Sequence, residues 1–235
     1  MSGFRRIWPS VAAVDGWLTE GQAAALYDAA RSCPPRGRIV EIGSFRGRST
    51  IVLAAAAPRL AEVVAIDPHA GTDRGPRELS GFEDAAREDR MRFEQNLSSA
   101  GVRERVRHVA RTSEAALDDV QGAVDVLFVD GAHRYRTARS DLRAWGGRVA
   151  PGGTMLVHDS FSSVGVTVAI LRELLWSRRF RYDGRTGSLA TYRFDASASR
   201  RGSALRQLAQ LPWFAKNVLV KLLISARLLR AEWPY

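Results

Sequence analysis

Residues 38–49 read R-I-V-E-I-G-S-F-R-G-R-S and decide the fold of this chain. The first five are rich in β-branched apolar side chains, which is typical of a buried strand. Gly43 and Gly47 then turn the chain into a helical pattern over residues 49–57. Glycine lets the backbone approach a bound molecule closely, and the first turn of a helix has unpaired N–H groups. The stretch therefore predicts a ligand site between a strand and a helix.

The glycine spacing and a preceding acid indicate which ligand this turn suits. Dinucleotide sites normally show G-x-G-x-x-G, whereas three residues separate Gly43 from Gly47, and Glu41 lies two residues earlier. A carboxylate there repels phosphate and attracts a cation. S-adenosylmethionine (SAM) carries an ammonium and a sulfonium and no phosphate. We therefore expect SAM to bind through Glu41, Gly43, Ser44, Gly47 and Ser49, with an NAD site or a purely structural turn as the alternatives.

Two later strand ends extend the expected cofactor site. A strand over residues 62–67 ends in Asp67, about 20 residues past the glycine turn, where nucleoside-binding α/β folds place a carboxylate on the ribose hydroxyls. The alternative is that Asp67 only caps the next turn. Ser113 follows a strand over residues 105–110, and we expect its hydroxyl to contact the adenine.

Strands and helices alternate along the rest of the chain. Further strands are predicted over residues 124–130 and 154–159, and a hairpin over residues 178–194. This order predicts an α/β fold: a Rossmann-like, doubly wound, mostly parallel seven-stranded sheet with a C-terminal antiparallel hairpin. The polar, glycine-rich residues 68–88 are a candidate lid over the site.

We expect three parts: an N-terminal helical cap (1–37), a SAM-binding domain (38–195) and a basic, apolar helical tail (196–235). Thr19 is expected to start a helix of the cap, near the mouth of the cofactor site. From Arg200 onward seven Lys or Arg stand against Glu232 alone, out of a net charge of +10. The tail therefore suits packing on the same domain, a homodimer contact, or binding to an anionic membrane surface.

Composition limits the cellular compartments and the binding partners that we expect for this chain. The hydrophobic share of 46% and charged share of 26% are typical of a globular protein. Cys33 is the only cysteine, which excludes an internal disulfide and a Cys-rich zinc site. The first residues lack the apolar core of a signal peptide, so we expect a cytoplasmic protein, with membrane association through the tail as an option. Nucleic acid is not expected, because the body lacks aromatic platforms among its cations.

Over residues 36–195 the sequence resembles the class I SAM-dependent methyltransferases. The motifs that carry this resemblance are E-I-G-S-F-R-G-R-S-T, V-V-A-I-D, V-D-V-L-F-V-D-G-A-H-R-Y and P-G-G-T-M-L-V-H-D. V-D-G-x-H-x-Y followed by P-G-G and H-D is similar to small bacterial O-methyltransferases of the macrocin and cephalosporin-biosynthesis type, and to mycobacterial methylmannoside 1-O-methyltransferases. The resemblance implies methyl transfer from SAM to a hydroxyl of a small acceptor, a sugar above all. An aromatic or natural-product hydroxyl is the alternative acceptor.

The resemblance also implies a divalent metal, Mg²⁺ or another ion, between the ends of the fourth and fifth strands. The matching positions are Asp130, His158 and Asp159, although His158 departs from the usual oxygen ligand. Asp130 is also expected to contact the cofactor and to belong to the catalytic set. His133 occupies the offset at which catechol-type relatives carry a lysine, and we expect it to be the general base. The alternatives are a metal-free acidic pair and a structural histidine.

Overall fold

The computed structural model describes residues 2–71 and 81–226. Its seven strands are β1 (Arg38–Ile42), β2 (Glu62–Ile66), β3 (Val106–Val109), β4 (Val124–Val129), β5 (Val149–Val157), β6 (Phe180–Thr186) and β7 (Leu189–Phe194). Its eight helices in these ranges are α1 (Ser2–Ala12), α2 (Glu20–Arg31), α3 (Arg48–Ala56), α4 (Glu83–Ser99), α5 (Tyr135–Ala144), α6 (Val164–Glu173), α7 (Arg200–Leu208) and α8 (Leu211–Ser225).

The strands form one sheet in the order β3-β2-β1-β4-β5-β7-β6. β1 to β5 pair in parallel, whereas β7 is antiparallel to both β5 and β6. The predicted fold is therefore confirmed, including the C-terminal antiparallel hairpin. Because β1 pairs with both β2 and β4, the chain order switches direction at β1, and ligands of doubly wound sheets bind beside this point.

Alternation along β1 explains how an acid comes to lie in the core. Val40 and Ile42 face a cluster covered by α5 and α6, and Ile39 faces the opposite cluster covered by α2 and α3. Strand side chains alternate between the two faces, so Glu41 shares the face of Ile39. It is fully buried there.

The N-terminal cap packs on the same domain. α2 begins after Thr19, as predicted, with a capping box in which the Thr19 hydroxyl accepts from Gln22 N and the Gln22 side chain accepts from Thr19 N. α1 was not foreseen from the sequence, partly because Pro9 lies inside it. It is anchored by Phe4, whose ring contacts Tyr27 of α2.

Several element boundaries differ from the sequence-based expectation. β5 was expected to begin at residue 154 but starts at Val149, with an irregular register before its regular pairing. β6 continues to Thr186 rather than ending at residue 183. The lid role of residues 68–88 stays a prediction, although residues 83–88 belong to helix α4. Acids in its first turn favour a helix start, and its few buried positions hid the periodicity. Residues 72–80 of the predicted lid lie outside the described part.

The tail helices pack on the domain. α7 covers the edge strand β6, where Tyr182 N donates to the Ser203 hydroxyl at 2.9 Å. The Tyr192 hydroxyl donates to the Gln207 side chain at 3.2 Å. α8 begins with Pro212 in its first turn, as predicted, and Trp213 packs against the main core cluster. Among the described residues, none of the helices has the length and apolar character needed to cross a bilayer. The homodimer and membrane-surface roles of the tail stay predictions.

Candidate functional site

The glycine turn after β1 lies directly against the end of β4. Gly43 has φ +84°, and a Cβ atom there would stand 2.3 Å from the carbonyl oxygen of Asp130. Gly47 has φ +88°, and a Cβ atom there would meet Leu97 of α4 at 2.6 Å. Both positions therefore require glycine, for conformation and for space. The turn and the end of β4 form one continuous edge of the site.

Asp67, the expected ribose ligand, braces this turn. One of its carboxylate oxygens, Oδ2, accepts from the N–H groups of Ser44 and Phe45, each at 2.9 Å. The other, Oδ1, accepts from His69 N at 2.8 Å. Only the bond from His69 N matches the alternative in which Asp67 caps the turn that follows it. The ribose role stays a prediction, and each carboxylate oxygen can accept more than one hydrogen bond.

His69 also holds the glycine turn, and the sequence did not indicate this role. Its Nε2 lies 2.8 Å from the carbonyl oxygen of Phe45. Both residues have positive φ, 44° for His69 and 45° for Phe45, a conformation that costs non-glycine residues free energy. The sequence carries no signal for this contact beyond the closeness of His69 to Asp67.

Glu41 points at the first turn of α3. The hydroxyls of Ser49 and Thr50 donate to its two carboxylate oxygens. Burial raises the pKa of Glu41 to about 7, and the hydroxyls of Ser49, Thr50 and Ser44 offset this only in part. The Ser44 side chain is itself buried. Contacts from Glu41, Ser44 and Ser49 to a cofactor cation stay predictions.

Ser113 lies on the other side of the β4 end, bonded to an acid that the sequence analysis did not select. Its hydroxyl donates to Oδ1 of Asp141 in α5, and Trp145 Nε1 donates to the Ser113 carbonyl at 3.0 Å. Burial raises the pKa of Asp141 to about 6, although the Ser113 hydroxyl partly offsets the effect. The sequence offers only a weak signal for Asp141, which is its place on the helix side that buries Ala138 and Leu142.

The strand tips of β4 and β5 bring together all four residues expected to carry the chemistry. Val129 pairs with Val157, so Asp130 comes to lie beside His158. His158 Nδ1 is 3.0 Å from Asp130 Oδ1, and His133 Nε2 is 2.8 Å from Asp159 Oδ2. His158 Nδ1 also lies 3.8 Å from Asp159 Oδ2. Two Asp–His pairs therefore interlock at one edge of the sheet.

Electrostatics favour the charged forms of His158, His133 and Asp159. Burial alone would lower the pKa of His158, but Asp130 and Asp159 outweigh it and raise the pKa to about 9. Burial also works against the charged form of His133, and its hydrogen bond to Asp159 together with the nearby carboxylates raises its pKa above the usual value. The two imidazoles hold the pKa of Asp159 far below its usual range, despite burial.

The ligand atoms of Asp130, His133 and Asp159 lie within 4.8 Å of one another. Two carboxylates and an imidazole suit a divalent ion, and such a ligand set is less specific for Mg²⁺ than an all-oxygen one. The residues present therefore fit a metal. In this ligand set His133 takes the place that was expected for His158. His158 instead hydrogen-bonds Asp130, and its buried Nε2 has no partner among the described residues. Binding an ion would require neutral His133, so it would compete with protonation.

A pocket opens beside these strand tips. Its wall is formed by residues 129–133, Ala138, Leu142, Val157, His158 and Val166. Asp130 and His133 are exposed over 29% and 40% of their side chains, whereas Asp159 and His158 are more buried. A ligand in the pocket would therefore meet Asp130 and His133 first.

A family model described as a methyltransferase domain matches residues 40–160, just over half of the chain. Among curated proteins, an uncharacterized protein of Acanthamoeba polyphaga mimivirus is 28% identical over 125 residues, covering 51% of this chain and 50% of that protein. The chain spans no more than half the length of the curated relatives it matches.

Solved structures share the fold at low sequence identity. The O-methyltransferase from Bacillus cereus in complex with SAH (S-adenosylhomocysteine) has a TM-score of 0.58 and 16% identity, covering 83% of this chain and 91% of that chain. The O-methyltransferase TomG from Streptomyces achromogenes, involved in tomaymycin synthesis and bound to SAM, has a TM-score of 0.53 and 20% identity, covering 82% and 87%.

Proposed function

Because this chain belongs to the methyltransferase domain family, we propose that it transfers a methyl group from SAM to a hydroxyl oxygen of a small acceptor. The observation that carries the proposal is the contact between His133 and Asp159, 2.8 Å long, at the edge of a pocket beside the glycine turn. A hydroxyl is a weak nucleophile at neutral pH, and a positioned base makes it a stronger one.

His133 and Asp159 have complementary parts in this chemistry. The Nε2–H of His133 donates to Asp159 Oδ2, so Nδ1 is the nitrogen that takes the proton of the acceptor hydroxyl. Asp159 orients the ring and stabilises the imidazolium that forms. The acceptor oxygen forms a bond to the SAM methyl carbon as the carbon–sulfur bond breaks. Methylated acceptor and S-adenosylhomocysteine leave, and the proton remains on His133 until solvent removes it.

SAM binding is supported by the glycine turn and by the fold neighbours that carry SAM or SAH. Gly43 and Gly47 allow a ligand to approach the turn, and Asp67 holds the turn's N–H groups in place. Glu41 favours a cationic ligand over a diphosphate. Membership of a methyltransferase family gives no support to the NAD-dependent oxidoreductase that the glycine turn alone left open.

A divalent metal fits the proposal without being required by it. Asp130, His133 and Asp159 would hold the ion, which would lower the pKa of an acceptor hydroxyl and orient it. If one nitrogen of neutral His133 bound the ion, the other would carry the ring proton, so the ring could not also act as the base. A metal-bound form would therefore leave deprotonation to another group, and sensitivity to chelators separates the two modes.

A sugar is the acceptor class we propose first, on the resemblance to the macrocin and methylmannoside groups. An aromatic or natural-product hydroxyl is the second candidate, favoured by the TomG neighbour, whose description names tomaymycin synthesis. Two carboxylates beside the pocket suit a polyhydroxylated ligand, because each can accept hydrogen bonds from hydroxyl groups.

An acceptor screen tests the proposal. The protein is incubated with methyl-labelled SAM and either mannosides, catechols, short RNA or carboxylic acids, each with and without EDTA. We expect a labelled methyl ether from the mannosides, or from the catechols under the second candidate. Full activity in EDTA would remove the metal. Methyl transfer to RNA or to a carboxylate instead would overturn the acceptor class.

A further inference from the structure

The loop between β5 and α6, residues 158–163, carries Asp159 in an unusual backbone conformation. Asp159 has φ +53° and Phe161 has φ +57°. Residues other than glycine adopt such angles only at a cost in free energy. A loop with two such residues keeps this shape only if contacts from elsewhere hold it.

Part of that restraint comes from β5, from β6 and from the turn between β6 and β7. Ser160 N donates to the carbonyl of Ser188 at 2.8 Å, and the Ser160 hydroxyl donates to the Val157 carbonyl at 2.8 Å. The Phe161 ring is fully buried and makes an edge contact with Tyr182. These contacts fix residues 160 and 161, and the carbonyl groups of 161 and 162 have other partners.

Those partners are two side chains of the tail helix α8. Asn217 Nδ2 donates to the Phe161 carbonyl at 3.1 Å, and Lys221 Nζ donates to the Ser162 carbonyl at 2.9 Å. Asn217 and Lys221 are four residues apart, so they lie on one face of the helix. Asn217 is 5% exposed, so its amide is committed to the loop rather than to water. The Lys221 charge also interacts with the Asp159 carboxylate.

Ser162 passes this restraint to Asp159. Its hydroxyl donates to Asp159 Oδ1 at 3.0 Å, while Asp159 Oδ2 faces His133 Nε2 at 2.8 Å. The orientation of the Asp159 carboxylate is therefore set on one side by Ser162 and used on the other by His133. Ser162 is 2% exposed, so water does not compete for its hydroxyl.

We propose that Asn217 and Lys221 are positioning residues, through which the tail helix α8 holds the Asp159 carboxylate in the orientation that His133 requires. The inference deepens the proposed function and rests on it. It gives the tail a part in the active site, whereas the sequence suggested only packing, dimer or membrane roles.

The test compares Asn217→Asp and Lys221→Met with the matched control Lys216→Met, an exposed lysine on the same helix. Asn217→Asp keeps the shape and replaces the donor with an acceptor. Two readouts are measured: kcat and KM with the acceptor identified by the screen, and long-range ¹H–¹⁵N spectra of the four histidines. The His133 signals are assigned with His133→Gln.

We expect kcat to fall about tenfold or more in both variants, because small misplacements of catalytic groups have effects up to 10²-fold. KM, and the Kd for SAH from calorimetry, should stay within about threefold, since neither residue is part of the pocket wall. The His133 Nε2 signal should shift in both variants and stay in place in Lys216→Met. Lys221→Arg, which keeps a donor, should restore most of the activity.

Wild-type kcat and an unmoved His133 signal in both variants would overturn the inference. If Asn217→Asp does not fold, Lys221→Met decides. If both fail to fold while Lys216→Met folds, α8 is a stability element and the positioning role is wrong. If the wild-type protein methylates no acceptor, the proposed function fails, and the spectra alone decide whether α8 orients the His133 ring.

Discussion

Replacing Glu41 with glutamine should change how stability depends on pH. Glu41 is fully buried and accepts from Ser49 and Thr50. Burial raises its pKa from 4.5 to about 7. Its contribution to the free energy of unfolding is therefore fully present below the unfolded value and is lost as pH rises through the folded value. At 1.36 kcal/mol per unit, the loss between about pH 4.5 and pH 8.5 is on the order of 3 kcal/mol.

Glu41→Gln keeps the shape and one acceptor and cannot ionise. The Ser49 and Thr50 hydroxyls can rotate, so that one donates to the amide oxygen and the other accepts from the amide nitrogen. The variant should therefore become more stable relative to the wild type as pH rises, by about 3 kcal/mol across that window. Other groups that titrate, such as His158 and Asp141, are common to both proteins and cancel in the difference.

Urea unfolding followed by circular dichroism at about pH 5, 6, 7 and 8.5 measures this difference. Glu83→Gln, at an exposed glutamate in the first turn of α4, is the matched control. It should differ from the wild type by less than about 0.5 kcal/mol at each pH. A difference between Glu41→Gln and the wild type that stays constant with pH would refute the reasoning, because it would mean that Glu41 ionises as freely in the folded state as in the unfolded chain.

Three further predictions follow from the site and the tail. His133→Gln should lower kcat by about 10²–10⁴-fold with the Kd for SAH unchanged; wild-type rates would remove the base. Gly43→Ala should lower the free energy of unfolding by more than Gly101→Ala, which should cost only about 1 kcal/mol because it shares a positive φ in open space; equal losses in urea titrations would contradict the close approach. Deleting residues 200–235 should lower the melting temperature, since Tyr192 loses its partner; an unchanged value by calorimetry would show that the tail does not pack there.

The sequence predicted the sheet well because its strands are short and bounded by strong signals. The run that ends at Val129 is nearly all apolar, as strands buried on both faces are. The period-2 pattern and the glycine turn also fixed where polar residues follow strands. For this reason Asp130, His133, His158 and Asp159 were expected together, and the structure brings them together.

What the sequence could not supply were contacts between segments that are distant along the chain. α4 reads as polar because only a few of its positions are buried, so its first turns resembled a loop. Asp141 was missed because a single acid on an apolar helix side looks like a surface residue until Ser113 is placed beside it. The hold of Asn217 on Phe161 joins residues 56 positions apart, and no local pattern indicates it.

The pairing of the two histidines with the two aspartates also differs from the ligand set expected from the sequence. The resemblance to methyltransferases implied that His158 and Asp159 act together on one ion. Asp159 has positive φ, and the side chain of Asp159 meets His133 while His158 meets Asp130. Residue types do not show this backbone conformation, nor which partner each side chain meets.

Calorimetric titration with S-adenosylhomocysteine and, separately, with NAD tests whether the site binds SAM, and it needs no knowledge of the acceptor. We expect saturable binding of S-adenosylhomocysteine at one site per chain and no binding heat from NAD. Gly43→Ala, in protein shown to be folded, should weaken that binding at least about tenfold, since the added methyl group displaces the turn. Binding of NAD with no binding of S-adenosylhomocysteine would contradict the proposed SAM site.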